Sequence, residues 1–227
     1  MTAAQVPGVH RYGERGLLVD LAGPHSVHPF ARAVERSGIA VDVIPGWSSV
    51  LVITAGDPAG LRDRLTDLAR AVGDVEPVDD PRLHPARRSG DDVAAVEIGD
   101  VAAVEIGVVY DGPDLADVAH LVGLSQAEVV TLHTQPVYTV VMLGFARGFP
   151  YLAGTHPALA QVPRLDTPRT RVPAGSVAIA AAQTGIYPTD SPGGWRLLGR
   201  TDVVLFDPHR WPPSPLAPGG RVRLRAI

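Results

Sequence analysis

Residues 143–201 read LGFARGFPYLAGTHPALAQVPRLDTPRTRVPAGSVAIAAAQTGIYPTDSPGGWRLLGRT. Glycine, proline, arginine and aromatic residues crowd this stretch more densely than a regular helix or strand requires. Glycine marks backbone conformations or close approaches that a Cβ forbids, and proline stiffens turns while removing a donor. Val-Ala-Ile-Ala and Trp-Arg-Leu-Leu still carry strand signals. The expectation is a set of loops held over a β scaffold, where binding sites are usually built.

Working outward, residues 137–143 read as a strand leading into this stretch, and 172–181, 195–200, 203–206 and 221–227 as further short strands. The proline-rich run 211–218 connects the last two over the surface. Upstream, Asp111-Gly112-Pro113 opens a helix with Leu115, Val118, Ala119 and Val122 inward and Gly123 closing it. Ser125 and Glu128 form a capping box for a second helix, which ends at His133. Two helices followed by many short strands imply a mainly-β barrel over residues 92–227.

The octapeptide DVAAVEIG occurs at 92–99 and again at 100–107. Two short copies cannot stack a solenoid core. Because eight is even, either copy would present the same residues to one face of a sheet. The second copy, which continues into Val108-Val109-Tyr110, is expected to be the barrel strand, and the first an edge or linker extension.

Towards the N-terminus, residues 9–21 read as a strand pair with Gly13 and Gly16 as turn candidates, and 28–37 as a helix stopped by Gly38. Residues 39–44 and 49–54 make a hairpin around Pro45-Gly46. A second helix follows, capped by Asp57-Pro58, with Leu61, Leu65, Leu68 and Val72 on one face. With a possible strand near Val75, this order implies a small α+β domain of split βαβ, ferredoxin-like type over residues 1–78. Residues 79–91 are expected to be a linker.

The chain has 227 residues, 45% of them hydrophobic and 19% charged, as in ordinary globular proteins. Its longest apolar runs are too short to span a bilayer, and residues 1–16 lack a basic region followed by an apolar core. A cytoplasmic location is therefore expected. Cysteine is absent, which excludes disulfides, thiolate nucleophiles and Cys-ligated zinc. All 20 basic residues are arginine, so a Walker-type phosphate lysine, a Schiff base and a biotinylated residue are excluded as well. No dinucleotide, HExxH or GxSxG pattern is present.

From Arg147 onward, ten arginines face four aspartates, a balance of +6; with −4 overall, the preceding part carries −10. A basic C-terminal part suits an anionic ligand or an acidic partner. Nucleic acid is not expected, because no aromatic-interleaved basic stripe or binding motif is found.

The runs GFARGFPYL (144–152) and PRLDTPRTRVPAGSVAIAAAQTGIYPTDSPGGWRLLGRT (163–201) resemble the family of 5-oxoprolinase B subunits, also called allophanate hydrolase subunit 1 or the KipI family. YDGPDLADVA (110–119), VVTLHT (129–134) and LFDP (205–208) match it too. The resemblance implies a cyclophilin-like barrel after a small α+β domain, similar to the carboxyltransferase portion of urea carboxylases. It also implies two partner proteins, the C and A components of a 5-oxoprolinase, with which the chain would hydrolyse 5-oxoproline to glutamate using ATP. Some relatives instead inhibit a sporulation histidine kinase. Against the family pattern, this chain has Arg147 before Gly148, Ala181-Ala182 where two glycines are usual, and Thr155-His156 in place of small residues.

5-Oxoproline is a resonance-stabilised lactam bearing a carboxylate, so a site for it needs donors for anions and a polar group near the ring. Arg169 and Arg171 leave one face of an extended segment and could clamp a carboxylate or phosphate, or pair with the protein itself. Gln183, Thr184 and Tyr187 suit a small polar amide, or make a turn packed on the barrel. Ser191, Gly193 and Gly194 could form an anion nest or a plain turn. Phe145, Phe149 and Trp195 are expected as pocket wall or barrel core. His133 is the candidate acid/base, with a satisfied helix-terminal histidine as the alternative. No metal ligand set is expected. ATP, with Mg as its counter-ion, would need an unconventional site shared with the C component, so the chain alone is expected to be inactive. The other readings are a subunit of an allophanate- or urea-type amide hydrolase or carboxyltransferase, and a kinase-inhibiting binding protein without turnover.

Overall fold

The computed structural model describes residues 8–73, 94–98 and 101–227. The chain divides into two compact units, residues 1–78 and 79–227. The expected strand near Val75 and the linker 79–91 lie outside the described residues.

The first unit begins with the hairpin β1 (Val9–Tyr12) and β2 (Gly16–Asp20), followed by α1 (Pro24–Ser37). The helix starts four residues earlier than the sequence suggested. Pro24 takes the first-turn position, where a missing N–H costs nothing, and Pro29 lies inside the helix. Gly38 ends it in a left-handed C-cap. Strands β3 (Asp42–Pro45) and β4 (Ser49–Ile53) form the expected hairpin, and α2 (Arg62–Gly73) follows a 3-10 turn at Ala59–Leu61. The sheet order is β1-β2-β4-β3, with every pair antiparallel. Strands β2 and β3 therefore run the same way with β4 between them. Val19, Val50 and Val52 from the sheet pack with Phe30 and Val34 of α1 and Leu65 of α2 in one core.

In the second unit the duplicated octapeptides form β5 (Ala94–Ile98) and β6 (Val101–Val108), paired antiparallel from Ala94 opposite Glu105 to Ile98 opposite Val101. The second copy is the internal strand, bonded to the C-terminal strand β14 (Arg221–Ala226), and the first copy stands at the end of the sheet, as expected. The helices α3 (Leu115–Val122) and α4 (Gln126–Thr134) follow. The capping box on α4 is formed in both directions by Ser125 and Glu128.

The remaining strands are β7 (Val137–Leu143), β8 (Pro150–Ala153), β9 (Arg169–Val172), β10 (Ser176–Ala180), β11 (Gln183–Ile186), β12 (Ser191–Gly193) and β13 (Arg196–Arg200). Eight strands make one curled sheet in the order β13-β10-β11-β8-β7-β14-β6-β5, and β9 with β12 forms a separate ribbon. Val109, just past β6, exchanges two 2.9 Å hydrogen bonds with Arg200 at the end of β13, so the two sides of the curl meet. The mixed α+β architecture is thus a helix–sheet unit followed by a curled sheet carrying two helices. Val104, Ile106, Tyr138, Val140, Leu152, Ile186 and Val222 fill the curl.

Two expectations are corrected. Residues 203–206 are not a strand: they join no ladder, and Leu205 instead drops into the core. Residues 172–181 are two strands, because Pro173 and the left-handed Gly175 turn the chain between β9 and β10.

Candidate functional site

After β7 the chain makes a tight loop in which the Gly144 N–H donates to the Phe149 carbonyl at 3.0 Å and the Phe149 N–H to the Ala146 carbonyl at 3.0 Å. Phe145 in this loop adopts φ 64°, a left-handed conformation rare for an aromatic residue, and its side chain is 62% exposed. Strain of this kind persists where the surroundings over-determine it, and functional sites are where it collects. The ring stands edge-on to Phe149 at 5.4 Å and to Tyr187 at 6.4 Å.

Phe149 is the hub of an aromatic wall. Its ring centroid lies 5.1 Å from Tyr151, 5.1 Å from Tyr187 and 5.7 Å from Trp195. Two glycines make the wall possible. A Cβ on Gly185 would come 2.7 Å from Phe149 and 2.9 Å from Trp195, and one on Gly193 would fall onto the Tyr187 hydroxyl. These rings, with Gly193, Gly194 and the arm at 164–168, enclose a cavity of about 180 Å³.

Arg164 at the rim lies with its guanidinium carbon 6.0 Å from the Trp195 ring centroid, and no carboxylate pairs with it among the described residues. The Tyr187 phenol is pushed above its usual pKa, chiefly by burial, while a hydrogen bond from the Trp195 backbone acts the other way. The group is therefore a neutral donor at physiological pH. The cavity thus offers flat apolar faces, the phenols of Tyr151 and Tyr187 and one uncompensated cation, which suits a small planar ring carrying an anionic group.

The structure brings six of the sequence candidates together here: Phe145, Phe149, Tyr187, Gly193, Gly194 and Trp195. Others lie elsewhere. Arg169 and Arg171 do leave one face of β9, but they line a second cavity of about 380 Å³ and are held by acids. Arg169 bonds Asp114 at 2.7 Å, and Arg171 grips Asp190 through Nε and Nη2 at 2.9 and 2.5 Å. Gln183 and Ser191 line neither cavity, and the Ser191 hydroxyl donates to the Thr189 carbonyl. The expected anion nest is not formed. Residues 191–193 are a strand paired with β9, and neither Gly193 nor Gly194 has the left-handed φ that a nest needs.

His133 and Thr184 belong to the core. His133 is fully buried, with Nδ1 2.8 Å from the Tyr110 hydroxyl and Nε2 2.9 Å from the Thr184 hydroxyl; its carbonyl accepts from Tyr138. Burial lowers its pKa to about 3. Both ring nitrogens are thus engaged by neutral hydroxyls, and the geometry gives this histidine a structural role rather than that of an acid/base. It is also uncharged, so the helix dipole is not what holds it.

Of the departures from the family pattern, Arg147 lines neither cavity, and Ala181 and Ala182 are exposed at the β10–β11 turn. Thr155 buries a hydroxyl without a hydrogen-bond partner among the described residues, and His156 accepts from the Ala158 N–H. The residue that sequence reasoning passed over is Arg164. It lies in the run 163–201 that carries the family resemblance, but nothing in the sequence shows which arginines have carboxylate partners.

The profile described as carboxyltransferase domain, subdomain C and D, matches residues 7–216. The 5-oxoprolinase B subunit of Escherichia coli O157:H7 is 39% identical over 208 residues, covering 90% of this chain and 86% of that one. That of Bacillus subtilis (strain 168) is 50% identical over a segment covering 51% of this chain and 48% of its own length. The chain belongs to this family of carboxyltransferase domains, in which the 5-oxoprolinase B subunits fall.

Among solved structures, TTHA0988 superposes with a TM-score of 0.67 at 37% identity, covering 94% of this chain and 40% of the longer one. PH0987 from Pyrococcus horikoshii gives 0.54 at 33%, covering 97% of both chains. The K. lactis urea amidolyase, at 17% identity and a TM-score of 0.61, shares the fold over 97% of this chain and 15% of its own.

Proposed function

We propose that this chain is the B subunit of an ATP-dependent 5-oxoprolinase, which opens 5-oxoproline to glutamate together with its A and C components. The observation that carries the reading is the aromatic cavity with Arg164 at its rim. A five-membered lactam is flat enough to lie against Phe149 and Trp195, its carboxylate pairs with the uncompensated guanidinium, and its carbonyl accepts from the Tyr187 hydroxyl. Among family members, the E. coli, B. subtilis and Haemophilus influenzae proteins are named as the B subunits of 5-oxoprolinases.

Lactam resonance must be overcome before the ring opens, which accounts for a coupling to ATP. At about 180 Å³ the aromatic cavity suits a small acid. It falls below the several hundred Å³ that larger ligands occupy, so the nucleotide and its Mg would sit elsewhere in the complex. Phe145, exposed on the cavity rim, would be covered by a partner protein, leaving this chain inactive by itself. In fold terms we read the curled sheet, with its Val109–Arg200 closure, as a cyclophilin-like barrel. The β2-α1-β3-β4-α2 order we read as a split βαβ, ferredoxin-like domain.

The test is reconstitution with the A and C components and measurement of glutamate released from 5-oxoproline in the presence of ATP. The complex should release glutamate, and Arg164→Gln should raise KM for 5-oxoproline at least about tenfold, the scale of one charge-assisted contact. An assembled complex that leaves 5-oxoproline untouched would overturn the reading. Turnover of allophanate or urea would then mark a urea-type enzyme, and kinase inhibition without turnover a binding protein.

A further inference from the structure

The second cavity, outside the aromatic site, is lined by Arg169, Arg171 and Arg200 together with Asp111 and Ser176, and holds about 380 Å³. Each arginine is fixed by one acid: Arg169 by Asp114, Arg171 by Asp190 and Arg200 by Asp111 at 2.9 Å. Two of these acids are also turned towards the protein. Asp114 accepts the Leu197 N–H at 2.7 Å, and Asp190 accepts the Ala174 N–H at 2.9 Å. The arginines differ in this respect, because a guanidinium has five N–H donors and one carboxylate engages at most a few of them. Arg169 Nη1 is the clearest case. It is buried and has no hydrogen-bond partner among the described residues. A buried donor without an acceptor is costly, and native structures rarely leave one.

We infer that this cavity binds an oxyanion of the phosphate class through Arg169, Arg171 and Arg200. The acids hold the three guanidinium planes in place, and each guanidinium keeps N–H donors that its acid does not engage, those of Arg171 and Arg200 open to solvent and so available to a ligand. A tetrahedral oxyanion supplies several acceptor oxygens in different directions, whereas a planar carboxylate satisfies one fork at a time. The free anion and a phosphate group on a larger molecule share this chemistry, and the volume admits either. The inference rests on this cavity alone and not on the lactam reading. A complex that fails to release glutamate leaves it standing, and absence of phosphate binding leaves the aromatic site standing.

The experiment is calorimetric titration of the full chain with inorganic phosphate, ATP and acetate at constant ionic strength. Saturable phosphate binding is expected, with acetate much weaker. Competition between phosphate and ATP would identify the nucleotide's phosphates as a source, and phosphate binding without an ATP response would point to the free anion. Arg171→Gln and Arg200→Gln, both at exposed side chains that the core does not depend on, should each weaken phosphate at least tenfold, and Arg164→Gln should leave it unchanged. Asp190→Asn releases donors of Arg171 and should tighten phosphate several-fold, a gain that a purely structural ion pair would not produce. No saturable phosphate binding, equal affinity for acetate, or indifference to all three cavity variants would overturn the inference.

Discussion

Ala181 holds φ at 50° in the turn between β10 and β11, with its N–H donating to the Val162 carbonyl at 2.7 Å. An L-residue in this region carries a steric cost that glycine avoids, on the order of 1 kcal/mol, partly offset by the greater unfolded-state freedom of glycine. Ala181→Gly should therefore stabilise the chain by about 0.5–1 kcal/mol, read as a higher urea midpoint; a lower midpoint would show that the turn is not strained. The family's usual glycines make this position legible in sequence as a departure. Its physical consequence is local, since Ala181 and Ala182 are exposed at the turn. Arg169 and Arg171 show the complementary gap. Their common face followed from two-residue spacing, but their carboxylates come from positions 55 and 19 residues away, a pairing that only the folded chain discloses.

At the scale of elements, capped helices and long apolar strands were readable because their signals are local: the Ser125–Glu128 box, the left-handed Gly38 and Gly123, and the 137–143 run. Short strands were not. Strand β11 consists of Gln-Thr-Gly-Ile and reads as a turn, because its place between β10 and β8 is fixed by their ladders and by rings packed on Gly185. Residues 203–206 erred in the other direction, since apolar content alone does not provide a strand partner. The duplicated octapeptide is the sharpest case. Ala94 stands opposite Glu105, which is the second copy's equivalent of Glu97, so the sequence pairs with itself. Strand β6 also has its own five-residue parallel register with β14, from Val104–Val222 to Val108–Ala226. Deleting residues 92–99 leaves that register and a single intact copy. We expect the shortened chain to fold cooperatively with a loss below about 2 kcal/mol, within the range of ordinary single changes. Thermal unfolding checks this, and loss of the cooperative transition would show that the edge strand is required.

For the molecule as a whole, the His133 network ties α4 to the curled sheet, since its imidazole joins Tyr110 beyond β6 and Thr184 of β11, while its backbone carbonyl accepts from Tyr138 of β7. The network makes global stability depend on pH in a definable direction. His133 in the folded chain has a pKa of about 3, set by burial, against about 6.5 when unfolded. Below pH 6.5 the unfolded chain therefore binds a proton that the folded chain refuses, and by linkage stability falls as pH drops. The contribution is fully present above about pH 6.5 and is lost progressively between there and pH 3, by a few kcal/mol in total. Asp190 adds in the same direction at lower pH, because the Ala174 N–H and then Arg171 hold its carboxyl below the usual range. Urea unfolding of the wild type from pH 8 to pH 4.5 should show a declining midpoint that begins near pH 6.5. His133→Gln keeps a polar side chain but removes the titration, so it should be less stable at pH 8 and lose less on acidification. A wild-type profile that stays flat to pH 5, or a variant that declines in parallel with it, would show that His133 is not the group through which acid unfolds the protein.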